Sequence, residues 1–449
     1  MRELISELET RLDEPTAKGV AQAVSRAIRE GVLRSGDRLP PIRELAHQLA
    51  LSPTTVSAAW GLLSRAGTLQ TAGRRGTVVA DVRAPREGRY RRVLDRQAAF
   101  TTDLSTGVPD ATLLPSLGAA LRELTSAGTP QSYLDDPVLP DLRDHLLGSW
   151  PYEAPGLTMV DGAMDALELV IRSNLTYGDR VLVENPTFPP LLDLLEAAGL
   201  VVDGVRVDTQ GLVTSELENA LQTPAQALFL QPRAHNPTGV SMTQRRMNAL
   251  AKVLRKSDAL IVEDDSGSAI STSPDLSFGS VLPRRTVHIR SYSKSHGPDL
   301  RLAAMSGPED LIAGVQHLRQ LGQGWSSRLL QRVLLNLLSD PTASEEVTHA
   351  RDEYARRRAH FAHLLAEEGV ATNGTDGLNL WVPVHDETAA IMRLAVSGVA
   401  VAPGRPFQLG DNRTPHIRVT VGLVGTNAEP LATLVASAAR TGAWPSTVR

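Results

Sequence analysis

Apolar residues recur at helical spacing near the N-terminus, then give way to short apolar runs separated by amphipathic stretches. From Thr16 to Gly31, Val20, Val24, Ala27 and Ile28 mark one face of a helix. GVLRSGDRLPP, residues 31–41, is a turn-rich connector. A second helix follows, with Ile42, Leu45, Ala46 and Leu49 on one side. Ser52 suits an N-cap and Pro53 a first helical position. The third helix they begin runs to about Ala66, with Val56, Ala59, Trp60 and Leu63 inward. Thr68–Thr71 and Thr77–Ala80 read as two short strands around AGRRG.

From about Asp103 the pattern predicts alternating helices and strands. The strand candidates are Leu157–Val160, Arg180–Glu184, Leu200–Val205, Ala227–Leu230, Ala259–Glu263, Val287–Arg290 and Leu302–Met305. Such alternation implies an α/β domain with a mostly parallel sheet wrapped by helices. A long charged helix, SEEVTHARDEYARRRAHFAHLLAEEG, then leads into a smaller α+β unit. The expected organisation is a three-helix, two-strand head over 1–80, an Arg-rich linker over 81–102 and a body over 103–449. The body would divide into a large part, about 103–335, and a small part, about 336–449.

Charge sharpens this division. Residues 1–100 carry 17 Lys and Arg against 11 Asp and Glu, whereas the remainder carries 29 against 39. A basic head on an acidic body suggests that the head alone meets a polyanion. The chain has no cysteine, which removes disulfides, thiol catalysis and Cys-ligated metals. No apolar run spans a bilayer and the start has no secretory pattern, so a cytoplasmic protein without a membrane partner is expected. Only four of the 46 basic residues are lysines: Lys18, Lys252, Lys256 and Lys294. A lysine in an unusual context therefore stands out, because arginine cannot form a Schiff base.

In the head, short polar residues at the start of the third helix can approach the edges of bases: Ser52, Thr54, Thr55 and Ser57. Arg38 and Arg43 are placed for phosphates or bases, and Arg74 and Arg75 for a wing-tip contact with double-stranded DNA. Residues 31–60, GVLRSGDRLPPIRELAHQLALSPTTVSAAW, with the wing GTLQTAGRRGTVV, resemble the winged helix-turn-helix of the GntR family of bacterial regulators. Pro53 departs from that pattern, which usually has Arg there.

The body's main chemical feature is IRSYSKSHGPDLR, residues 289–301. A lysine at a strand end beside a hydroxyl-rich turn can be desolvated into an amine nucleophile, and Ser291 and Arg301 suit a phosphate. DGAM (161–164) and ENPTF (184–188) follow strands. So do AHNPTG (234–239) and VEDD (262–265). Taken in order, these pieces resemble a fold-type I pyridoxal 5'-phosphate enzyme of the aminotransferase kind. The resemblance implies that Lys294 is the Schiff-base lysine, Asp264 partners the ring nitrogen, Asn236 the ring's phenolic oxygen, and Phe188 stacks on the ring. It places Gly162, Ala163, Met164, Ser291 and Arg301 around the phosphate, Tyr133 at the partner subunit's phosphate, and Arg418 at a ligand carboxylate. Ser266 stands where that pattern has tyrosine, and VLPDLR lacks the glycine expected after Asp136-Pro137.

Head and body together resemble the MocR subfamily. That resemblance implies a homodimer that binds an operator and senses the cofactor, or the cofactor with an amine or amino acid. Two alternatives remain: a working aminotransferase with an appended DNA-binding head, and a repressor whose body is only a dimerisation scaffold.

Overall fold

The computed structural model describes residues 2–65, 68–71, 76–79, 88–89, 100–126, 135–411 and 413–442. The chain divides into two compact units. The first comprises residues 1–88 with 174–181 and 192–202, and the second holds the remainder.

The first unit contains helices Ala17–Arg29, Ile42–Gln48 and Pro53–Arg65, followed by strands β1 (Leu69–Thr71) and β2 (Thr77–Val79). β1 and β2 pair antiparallel, and Arg38 bridges to Val78 beside them. Val20, Val24, Ala27, Leu45, Val56, Ala59 and Leu63 converge in one core, as their spacing predicts. An additional helix, Arg2–Glu9, adds Ile5 and Leu8 to that core. Their separation of three positions was a helical pattern too short to read on its own.

The second unit is built around an eight-stranded sheet. Its strands are β4 (Gly156–Val160), β5 (Arg180–Asn185), β6 (Val201–Asp208), β7 (Gly211–Leu212), β8 (Ala227–Leu230), β9 (Leu260–Asp265), β10 (Thr286–Ser291) and β11 (Ala303–Gly307). The order is β4-β11-β10-β9-β8-β5-β6-β7. β8, β9 and β10 run parallel, whereas β11 is antiparallel to both β10 and β4. β8, β10 and β11 are buried at every position, on both faces, whereas β6 keeps exposed positions. Every sequence-predicted strand is present within a few residues of its expected ends.

The predicted charged helix is Pro341–Glu367, 27 residues long. Beyond it lie β12 (Asn379–Pro383), β13 (Val399–Pro403) and β14 (His416–Thr420). These form a second sheet, β12-β14-β13-β3, whose edge is β3 (Thr102–Leu104), parallel to β13. The smaller sheet thus draws on chain from both sides of the large one. Among the described residues no helix is long and apolar enough to cross a membrane.

Candidate functional site

In the head, Ser52 caps the helix Pro53–Arg65 by accepting the Thr55 N–H at 3.0 Å. Its hydroxyl also lies 2.6 Å from that of Thr54 and 2.8 Å from that of Thr55. Ser52, Thr54 and Ser57 are exposed, and Thr55 is half-buried. Arg38 and Arg43 are exposed as well. The helix start therefore presents a hydroxyl row with two arginines on the same small unit. Arg74 and Arg75 lie outside the described residues.

In the body, strand register gathers one end of the sheet. Ser291 at the end of β10 faces Ala303, which faces Val160 of β4. The turn after Val160 holds Gly162 at φ +99°, a conformation that needs glycine. It opens the helix Ala163–Asn174. Arg301, just before β11, donates to the Asp161 carbonyl at 3.5 Å, and its guanidinium lies beside Gly162. Gly162, Ala163, Met164, Ser291 and Arg301 thus meet where a helix N-terminus favours an anion.

The same sheet end carries Asp264, 6% exposed, at the end of β9. Its carboxylate accepts from Ser266 Oγ and from Gln231 Nε2, the latter at 2.7 Å. Burial pushes Asp264 above the ordinary carboxylate range, while these two bonds and the nearby Lys294 pull it back. Desolvation lowers the Lys294 amine below the usual lysine range, opposed by Asp264 and reinforced by Arg418. Phe188 lines the same small cavity as Asp264.

Gln231 was not anticipated. Its Oε1 accepts the Asn236 N–H at 2.8 Å, and its own N–H donates to Glu184 at 2.7 Å. One side chain thus ties Asn236 to Asp264. Asn236 Oδ1 accepts from Arg418 Nη1 at 3.1 Å, which orients the amide so that Nδ2 remains its donor. Arg418 also donates to the Ser105 carbonyl and lies over the Phe407 ring at 5.1 Å. Arg418 is 1% exposed. Tyr133 lies outside the described residues.

These parts fit pyridoxal 5'-phosphate. A buried lysine amine with a lowered pKa suits an aldehyde, a supported buried carboxylate suits a ring nitrogen, and the glycine turn with Ser291 and Arg301 suits a phosphate.

Residues 101–435 match the family described as aminotransferase class I and II, and residues 16–79 match the bacterial regulatory proteins of the gntR family. The chain is 36% identical to the vitamin B6 salvage pathway transcriptional repressor PtsJ of Salmonella typhimurium, over 91% of this chain and 95% of that protein. It is 28% identical to the pyridoxine biosynthesis transcriptional regulator PdxR of Corynebacterium glutamicum, over 79% of this chain and 80% of that one. Pyrococcus horikoshii kynurenine aminotransferase shares the fold of the body, with a TM-score of 0.71 at 22% identity over 80% of this chain and 96% of that one. The chain therefore belongs to the aminotransferase class I and II family and, with its gntR-family head, to the regulators of the MocR subfamily.

Proposed function

We propose that the protein is a homodimeric transcription regulator that binds a two-part DNA operator through its heads and reads pyridoxal 5'-phosphate, alone or with an amine or amino acid, through its body. The observation that carries the reading is Ser266. It stands in place of the aminotransferase tyrosine, and its hydroxyl is committed to Asp264. A side chain spent on Asp264 is not available to the ring oxygen. That favours a held cofactor over a turnover site.

When bound, the cofactor supplies an aldehyde that takes a primary amine covalently and a ring that withdraws electrons from it. The chain's own residues do the rest. Lys294 offers an amine whose pKa burial lowers from the ordinary lysine value. Gln231 and Ser266 hold Asp264 in one orientation, and Gln231 also fixes Asn236. Arg418, bonded to Asn236, is the cation to which the carboxylate of an amino-acid effector would be drawn. Ser52, Thr54, Ser57, Arg38 and Arg43 supply the DNA-facing groups, and dimer geometry sets the spacing of the half-sites. An effector shifts operator binding only by its differential affinity for two arrangements of the dimer. Such a regulator acts in the cytoplasm.

The test is fluorescence anisotropy on an operator fragment, with and without added cofactor, for the wild type and Lys294→Ala. Cofactor-dependent affinity that disappears in the variant supports the reading. Operator affinity that does not respond to the cofactor in the wild type leaves only a scaffold role for the body. Rapid, complete half-reactions with amino acids would instead establish an aminotransferase.

A further inference from the structure

The small part of the body reaches the Asn236 loop at two places. Arg418, on β14, bonds the Asn236 side chain. Its register partner on β12 is Trp381, and five positions before Trp381 stands Asp376, 2% exposed. One Asp376 carboxylate oxygen accepts from the hydroxyl of Ser241, at 2.8 Å, and from that of Ser271. The other accepts the N–H of Thr272, at 3.1 Å, and of Gly377, at 2.9 Å. Ser241 in turn closes the 234–241 loop by accepting the Ala234 N–H at 2.9 Å. Ser271 and Thr272 lie beyond the end of β9, which carries Asp264. One carboxylate thus ties together the loop that holds Asn236 and the chain that follows Asp264.

The backbone adds to this contact. The Gly239 carbonyl accepts the N–H groups of both Thr375 and Asp376, each at 3.0 Å. A side chain at Gly374 would meet the Thr238 carbonyl at 2.2 Å, so only glycine lets the two segments lie this close. The start of the loop is anchored separately. There Arg233 donates to both Asp265 oxygens, at 2.9 and 2.7 Å, and Arg233 and Arg290 both reach Asp275. Burial would raise Asp376, but the Ser271 and Ser241 hydroxyls and the Thr272 N–H hold it below the ordinary carboxylate range. It is therefore charged at neutral pH, and its bonds are of the stronger, charge-assisted kind. An apolar residue would fill this space at less cost. A charge that takes donors from two other segments fixes those segments relative to each other instead.

We propose that Asp376 is a positioning residue for the cofactor site, which holds the 234–241 loop so that Asn236 is aimed at the cofactor ring. This rests on the cofactor reading above and assigns part of that geometry to a residue that is not itself a ring contact. Arg418 holds the Asn236 side chain, and Asp376 holds the backbone that carries it.

The test uses the full-length protein, without and with pyridoxal 5'-phosphate. In the cofactor-free protein, amide hydrogen exchange of residues 235–240 reads the hold on the loop. Asp376→Ala should speed that exchange about tenfold or more, the equivalent of one lost hydrogen bond. In the loaded protein, the pH midpoint of the visible cofactor band reads the aim of Asn236. An amide that donates to the ring oxygen favours its negative charge, so a loosened donor should raise the midpoint by about half a pH unit. A residue that only stabilised the fold would leave the midpoint in place. Ser241→Ala removes the hydroxyl that joins Asp376 to the loop and leaves Asp376 itself intact. It should raise the midpoint too, and it carries the test if Asp376→Ala does not fold. Asp376→Asn keeps an acceptor for Thr272 and Gly377, and its amide donates to the two hydroxyls, so it should match the wild type in both readouts. The proposal is overturned by a midpoint unchanged in Asp376→Ala and Ser241→Ala, by exchange unchanged in Asp376→Ala, or by Asp376→Asn shifting as far as Asp376→Ala. A wild-type protein with no visible band on added cofactor defeats the cofactor reading instead, and exchange in the cofactor-free protein still decides whether Asp376 holds the loop.

Discussion

Replacing Gln231 by leucine removes one side chain and breaks two buried hydrogen bonds at once. The shape is nearly kept, so the loss is polar. The bond from Nε2 to the Asp264 carboxylate, at 2.7 Å, is of the charge-assisted kind, worth roughly 1.5–3 kcal/mol. The Asn236 N–H loses its acceptor at 2.8 Å and is left buried, which costs roughly 1–3 kcal/mol. Together they remove about 2.5–6 kcal/mol from the stability of the body. At roughly 2 °C per kcal/mol for a large domain, the melting temperature falls by roughly 5–12 °C. Differential scanning calorimetry of the cofactor-free protein measures this directly. Repeating it with saturating cofactor should show a smaller stabilisation than in wild type, because Asp264 has lost one of the donors that keep it charged and in place. Gln231→Glu keeps an acceptor for Asn236 but sets a second carboxyl against Asp264, and should fall at least as far. A drop under about 2 °C for Gln231→Leu, with cofactor stabilisation unchanged, would refute the role assigned to Gln231.

Other residues make separable predictions. Ser52→Ala removes the cap of the helix Pro53–Arg65 and should cost about 1 kcal/mol of head stability, measured by thermal unfolding of the full chain. Arg38→Ala should weaken operator binding at every sequence and lower the salt slope of log affinity by about 1 if Arg38 holds a phosphate; an unchanged slope excludes that contact. Burial pushes His296 down to about 4 from its ordinary 6.5. Between these values the unfolded chain binds a proton that the folded chain refuses. Stability therefore falls as pH drops from about 6.5 towards 4, by up to ~3 kcal/mol. His296→Asn should flatten that part of the stability profile in urea titrations, and an unaltered acid limb would exclude His296 as its source.

Much of this was legible in the residues. Val20, Val24 and Ala27 specified the buried face of a helix whatever the rest of the chain did, and the short apolar runs specified strands, because burial on one or both faces imposes the period. The ordered motifs around Lys294, Asp264, Asn236 and Arg301 stood out through their resemblance to the aminotransferase pattern, which implies Schiff-base, ring-nitrogen and phosphate roles for them. What stood beside them did not follow from spacing. Gln231 is an ordinary strand-end residue until β8 and β9 pair and set it against Asp264. Ser266 marked a departure in sequence, but only the fold gives its hydroxyl to Asp264. The antiparallel β11, the place of β3 beside β13, and the Arg233, Asp265, Asp275 and Arg290 network likewise depend on which strands become neighbours. Periodicity determines which side of an element is buried. Pairing over long sequence separations determines what it is buried against, and that is a property of the tertiary structure alone.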